Sequence, residues 1–166
     1  MNKLILNQSN FNGLIAKICR DITLSSWRPD YIVGITRGGS LPGIMISHYL
    51  NIPMQSLDVS LRDGGACVSN LGMAEDAYEG KNILIVDDIN DTGATLNWIM
   101  NDWPSGCFPL NEEQWGRIWG NNVKFAVVVD NLASKCEVKM DYVGMEVDKA
   151  EKDVWIEFPY EEWWTK

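Results

Sequence analysis

The stretch Ile83–Thr95 (ILIVDDINDTGAT) carries the densest chemistry of the chain. An apolar, β-branched run ends in two adjacent carboxylates, Asp87 and Asp88, and Asp91 then precedes Thr92, Gly93, Ala94 and Thr95 at the head of an expected helix. A strand feeding a helix through such a turn aims backbone N–H groups and two hydroxyls at one point, at the positive helix end, which is a phosphate cradle. The carboxylate pair beside it cannot hold phosphate directly. It suits a sugar diol, as the acidic residue does in dinucleotide folds, or a magnesium ion. Competing motifs fail on spacing. Counted from Asp88, the twelfth position of an EF-hand loop would be Ile99 rather than Glu. The chain has neither GxxxxGK[ST] nor GxGxxG.

A second turn, Thr36-Arg37-Gly38-Gly39-Ser40-Leu41-Pro42-Gly43, also follows an apolar strand and precedes a helix. Its glycines allow close backbone approach to a ligand, and Arg37 offers a forked cation that matches phosphate oxygens. Together the two turns imply a pair of anion sites at one sheet edge with a diol-reading acid pair between them. The matching ligand carries phosphate at both ends and a ribose in the middle.

The elements that must position these turns are legible in the hydrophobic pattern. Phe11, Leu14, Ile15, Ile18, Cys19 and Ile22 form an amphipathic helical stripe, with Ser9 or Asn10 as its expected cap. Strands are expected at Tyr31–Thr36, Met54–Ser60, Asn82–Val86 and Val123–Val129, and shorter ones at Tyr142–Val147 and Val154–Phe158. Helices are expected at Leu41–Leu50 and at Gly93–Trp103, the latter stopped by Pro104. Residues 61–80, rich in glycine, read as a long mobile loop. Residues 104–122 read as an irregular connection with a short helix near Glu112–Trp119. Strands alternating with helices argue an α/β fold with a parallel sheet. The expected organisation is a single domain over residues 1–166, with a core at about 9–130 and a mixed C-terminal segment at about 131–166.

Composition narrows the function classes. With 14 Lys and Arg against 23 Asp and Glu, the net charge is −9, a poor basis for nucleic-acid binding. No apolar run approaches the roughly 18 residues of a membrane span, and the first residues do not read as a signal peptide. The four cysteines have no metal or disulfide-framework spacing, so reduced thiols and a cytoplasmic setting are expected. A single histidine, His48, removes most histidine-based mechanisms.

The two motifs and their order resemble the type I phosphoribosyltransferases, whose shared ligand is 5-phosphoribosyl-1-pyrophosphate (PRPP). TRGGSLPG is similar to the SRGG-x-x-PG turn of the bacterial xanthine-guanine enzymes. Asp153-Val154-Trp155-Ile156-Glu157 is similar to their hood segment, where a Trp stacks on the purine. The resemblance spans about residues 11–160. It implies a magnesium-dependent transfer of the phosphoribosyl group from PRPP to guanine, xanthine or hypoxanthine, as in purine salvage, by a homodimer or homotetramer. It implies that Asp87 and Asp88 hold the ribose hydroxyls and the Mg2+ shell. Asp91 would face the imidazole ring of the base and handle its proton as the catalytic residue. Thr92, Gly93, Ala94 and Thr95 would bind the 5′-phosphate, and Arg37 and Gly38 the pyrophosphate. Ile89, Trp155 and Ile156 would hold the base. The family's base-reading Lys, just after the strand that follows the PRPP helix, is missing. Asn131 occupies that place as an expected base-binding residue, with Lys135 as a possible substitute. Arg62, on the 61–80 loop, is a further candidate contact. Two alternatives stay open: another acceptor, such as adenine or a pyrimidine, and a non-catalytic regulator on the same fold.

Overall fold

The computed structural model describes residues 2–61 and 67–166. In chain order the elements are β1 (Asn2–Ile5), α1 (Gln8–Leu24), β2 (Tyr31–Thr36), α2 (Ser40–Leu50), β3 (Met54–Asp58), α3 (Leu71–Tyr78), β4 (Ile83–Asn90), α4 (Ala94–Gly106), α5 (Glu112–Ile118), β5 (Val123–Asn131), β6 (Tyr142–Val147) and β7 (Val154–Glu157). A short 3-10 turn follows at Trp163–Thr165. Five strands form a parallel sheet in the order β3-β2-β4-β5-β6. β1 and β7 form a separate two-stranded parallel sheet. This is the helix-flanked parallel α/β architecture that the strand and helix pattern predicts, and the β1–β7 pair forms a small cap beside it.

The central strands are buried on both faces, so they read as continuous apolar runs rather than alternating ones. Successive side chains still go to opposite faces, and this divides the core in two. Val33, Ile35, Ile83, Ile85, Phe125 and Val127 pack with α3, α4 and α5 through Ala77, Ile99, Trp103 and Trp115. Ile32, Leu84, Val86, Ala126 and Val128 pack with α1, α2 and the cap through Phe11, Ile18, Ile46, Ile156 and Phe158. The stripe seen on α1 in the sequence is the face that buries Phe11, Ile15, Ile18, Cys19 and Ile22. Its N-cap is Asn7, one turn earlier than expected, because Asn7 and Asn10 satisfy each other's backbone N–H in a capping box.

Two segments differ from expectation, while the 104–122 connection holds, as α5 (Glu112–Ile118), the short helix expected near Glu112–Trp119. Within residues 61–80, Leu71–Tyr78 is a helix capped by the Asn70 side chain, and it buries Met73, Ala74 and Ala77. Small and apolar residues at helical spacing, hidden among glycines, decide it. Arg62 lies outside the described residues. α4 runs through Pro104 to Gly106, because near a helix end proline removes only one backbone bond. The 104–122 connection covers one sheet face with an aromatic ladder. Trp115 stacks on Trp119 at 5.6 Å, and Trp119 stacks on Phe125 at 6.0 Å. The cysteines are unpaired, and burial pushes the Cys19 thiol up to about 11.

Candidate active site at the switch point of the sheet

β2 pairs with β3 on one side and with β4 on the other. The chain therefore leaves β2 in one direction and returns beside it from the other. The crevice at the carboxyl ends of β2 and β4 is a topological switch point, where ligands bind in open α/β sheets. Both motif turns open into it. A cleft of about 1160 Å³ lies there, somewhat larger than the roughly 300–1,000 Å³ usual for small-molecule sites.

The acid pair is part of β4 rather than beyond its end. Pairing with β5 continues through Asp87↔Val127 to Asn90↔Asp130. Asp87 is buried and its Oδ1 accepts the Asp88 N–H at 2.9 Å. Asp88 Oδ1 accepts the Ile89 N–H at 2.8 Å. The first turn touches the second here. A Cβ at Gly38 would overlap the Asp88 carboxylate, so glycine is what allows this approach. Tyr160, from the segment after β7, reaches back and donates to Asp88 Oδ2 at 2.8 Å, with the Gly38 carbonyl 3.3 Å away. Burial, then the charge of Asp88, pushes the Tyr160 hydroxyl well above its usual range, so it remains a donor.

The phosphate cradle is equally constrained. Gly93 has φ +89°, and a Cβ there would run into the backbone of Lys135 and Cys136. The Thr92 carbonyl accepts the Lys135 N–H at 2.9 Å. Asn97, on the first turn of α4, accepts the Glu137 N–H and donates to the Lys135 carbonyl. Residues 134–137 thus buttress the N-terminus of α4 from behind. Lys135 contributes its backbone to this buttress, and its side chain does not line the cleft.

The cleft gathers Arg37, Gly38, Asp87, Asp88, Ile89, Asp91, Thr92, Gly93, Ala94, Thr95, Trp155 and Ile156 from the expected set. Trp155 is 40% exposed, whereas Ile156 is buried. Asn131 is the exception. It is buried, and its amide is spent on the backbone: Nδ2 donates to the Asp91 carbonyl at 2.8 Å, and Oδ1 accepts the Ala133 and Lys149 N–H groups at 3.2 and 3.1 Å. It braces the site instead of facing a ligand.

Several lining residues escaped the sequence reading. Lys149, in the β6–β7 connection, places Nζ 2.8 Å from Asp91 Oδ1. Asp58, at the end of β3, accepts from Thr36 Oγ1 at 3.1 Å. Tyr160, Glu161 and Glu162 close the cleft from the C-terminal side. Their only available signal was the aromatic and acidic cluster FPYEEWW after the hood motif.

Magnesium can be tested against this donor set. Among the described residues no group of three or more His, Cys, Asp or Glu converges on one point, so the chain offers no closed metal cage. Asp87 and Asp88 at the cleft floor fit an ion that keeps several waters and is completed by substrate phosphates. Among the described residues, six lining carboxylates (Asp58, Asp87, Asp88, Asp91, Glu161 and Glu162) face the cations Arg37 and Lys149, a balance in which a bound cation would help hold a polyanionic ligand.

A family model described as a phosphoribosyl transferase domain matches residues 2–162. Xanthine phosphoribosyltransferase 1 of Saccharomyces cerevisiae is 28% identical, over 60% of this chain and 59% of the yeast protein, less than two thirds of its length. A xanthine-guanine phosphoribosyltransferase of Cereibacter sphaeroides is 30% identical over 65% of this chain and 74% of its own. The crystal structure of a purine phosphoribosyltransferase from Pyrococcus horikoshii superimposes with a TM-score of 0.68 at 25% identity, covering 98% of this chain and 96% of the other.

Proposed function

The chain belongs to the phosphoribosyl transferase domain family, and from that premise we propose that it transfers the phosphoribosyl group of PRPP to a 6-oxopurine base. The products are a nucleoside monophosphate and pyrophosphate, as in purine salvage. The observation that carries this reading is the meeting of both anion-binding turns at one switch point, with Asp87, Asp88, Asp91 and Trp155 lining the same cleft.

The amides and hydroxyls of Thr92–Thr95 hold the 5′-phosphate at the positive end of α4. Asp87 and Asp88 accept from the ribose hydroxyls and hold Mg2+. Bound there, the ion supplies charge stabilisation to the departing pyrophosphate. Arg37 and the Gly38 backbone bind that pyrophosphate. The C–O bond at the anomeric carbon breaks, with its electron pair leaving on pyrophosphate, and a base nitrogen forms the new C–N bond. The imidazole proton of the base passes to Asp91. Trp155 and Ile89 sandwich the base and fix its plane. Most of the acceleration comes from positioning and charge stabilisation.

Among the described residues no helix is long and apolar enough to cross a membrane. The free thiols support a cytoplasmic enzyme, and the exposed Trp163 and Trp164 support assembly as a homodimer or homotetramer. The deciding experiment is a turnover assay with PRPP, Mg2+ and a panel of bases, run beside a melting scan. Pyrophosphate release with guanine, xanthine or hypoxanthine is expected, together with a melting shift from PRPP that requires Mg2+. Absence of both would refute the function.

A further inference from the structure

We propose that Lys149 is the residue that selects an oxo base, supplied from the β6–β7 connection rather than from the end of β5. This rests on the phosphoribosyl-transfer reading and goes further by assigning its base specificity to one ammonium group. Lys149 Nζ lies 2.8 Å from Asp91 Oδ1, and each side chain is only 17% exposed. Both line the same cleft as Trp155 and Ile89. Their placement is not left to flexible side chains. The buried Asn131 amide binds the Lys149 N–H and the Asp91 carbonyl at once, so one group sets the relative position of the two backbones. An ordinary surface ion pair has no such brace and contributes little.

An ammonium can only donate hydrogen bonds, and an ionised carboxylate can only accept them. Side by side, Lys149 and Asp91 present a donor next to an acceptor to any flat ring entering between Trp155 and Ile89. The complementary edge carries a carbonyl oxygen next to a ring N–H. A 6-oxopurine has that edge. A 6-aminopurine sets its amino hydrogens against the ammonium hydrogens and leaves a desolvated donor unpaired, which sites of this kind reject strongly.

The test uses the full chain and its Lys149→Met and Lys149→Arg variants. It reads kcat/KM for hypoxanthine, guanine and adenine, KM for PRPP, and equilibrium binding of IMP and AMP. Lys149→Met is expected to lower kcat/KM for the oxopurines about 10–100-fold, the range of a lost charged hydrogen bond. Adenine turnover should rise, because the donor that rejects it is gone, and KM for PRPP should stay within about threefold, so the oxo-to-amino ratio collapses, in turnover and in IMP-against-AMP binding alike. Lys149→Arg should keep most of the preference. An equal loss on every base, or an unchanged ratio, overturns the assignment while transfer itself stands. A native chain that turns over no base refutes the transfer reading, and the assignment with it.

Discussion

Asn131→Ala separates two jobs for one side chain. As a brace, Asn131 satisfies the Asp91 carbonyl and the N–H groups of Ala133 and Lys149 from a buried position. Truncation leaves these three backbone groups without their partner. With water entering the vacated space, each costs about 1 kcal/mol, for a total of about 3 kcal/mol. In a domain of this size that is a fall of about 6–12 °C in Tm. Base turnover should fall with it, because Asp91 and Lys149 lose their shared anchor, while the choice among oxopurines stays unchanged. Asn131→Lys should behave no better, since it puts an ammonium where two N–H groups seek an acceptor. Differential scanning calorimetry and the base-panel assay measure the two effects. An unaltered Tm with a shifted base preference would refute the argument and return Asn131 to the role of edge reader.

Three further outcomes are expected. Asp91→Asn should cut turnover by about 10²–10⁴ while the Mg2+-dependent melting shift from PRPP persists; near-native turnover would show that Asp91 does not handle the proton. Trp155→Ala should weaken every base about equally, by about 1–3 kcal/mol as judged from base–aromatic stacking, and a base-selective loss in titration calorimetry would contradict a simple platform. The third concerns acid. Hydrogen bonds from Lys3 and then Lys166 hold the Glu157 carboxyl below its ordinary value of 4.5. A depressed folded-state value means the stabilisation is present above the unfolded value and is lost as pH falls through the folded one. Amide exchange in β1 should therefore accelerate in acid below that ordinary value, and the effect should vanish in Glu157→Gln. The same acid response in that variant would place its source elsewhere.

The legible parts of this molecule are those in which local sequence and tertiary role coincide. Tyr31–Thr36 and Ile83–Val86 are buried on both sheet faces, so their apolar runs had no competing reading. The turns after them announce themselves because backbone approach demands glycine, as at Gly38 against Asp88 and at Gly93 against Cys136. Other features depend on partners far away in the chain. β1 is four residues long, mostly exposed, and held by pairing with β7; nothing in NKLI alone specifies a strand. Lys149 sits in an irregular connection without periodicity, and only the fold brings it to Asp91. The backbone bonds of Asn131 are hidden from the sequence for the same reason. Its position after β5 marks the right place in the chain, but whether an amide there faces a ligand or the backbone is decided by where the β6–β7 connection passes.

The β1–β7 pairing also bears on the order in which the protein acquires its abilities. Lys3 stands opposite Trp155 in that small sheet, so the base platform is set only when an early strand meets one of the last. Closing a chain segment of that length carries an entropic cost of roughly 4 kcal/mol. The sheet from β2 to β6 faces no such span between neighbouring strands and holds Asp87, Asp88 and the cradle at Thr92–Thr95. A chain emerging during synthesis can therefore build its grip on phosphate and ribose before it has the platform on which a base stacks. Local opening of β1 reverses that sequence, loosening the base platform first and leaving the sugar-phosphate half intact.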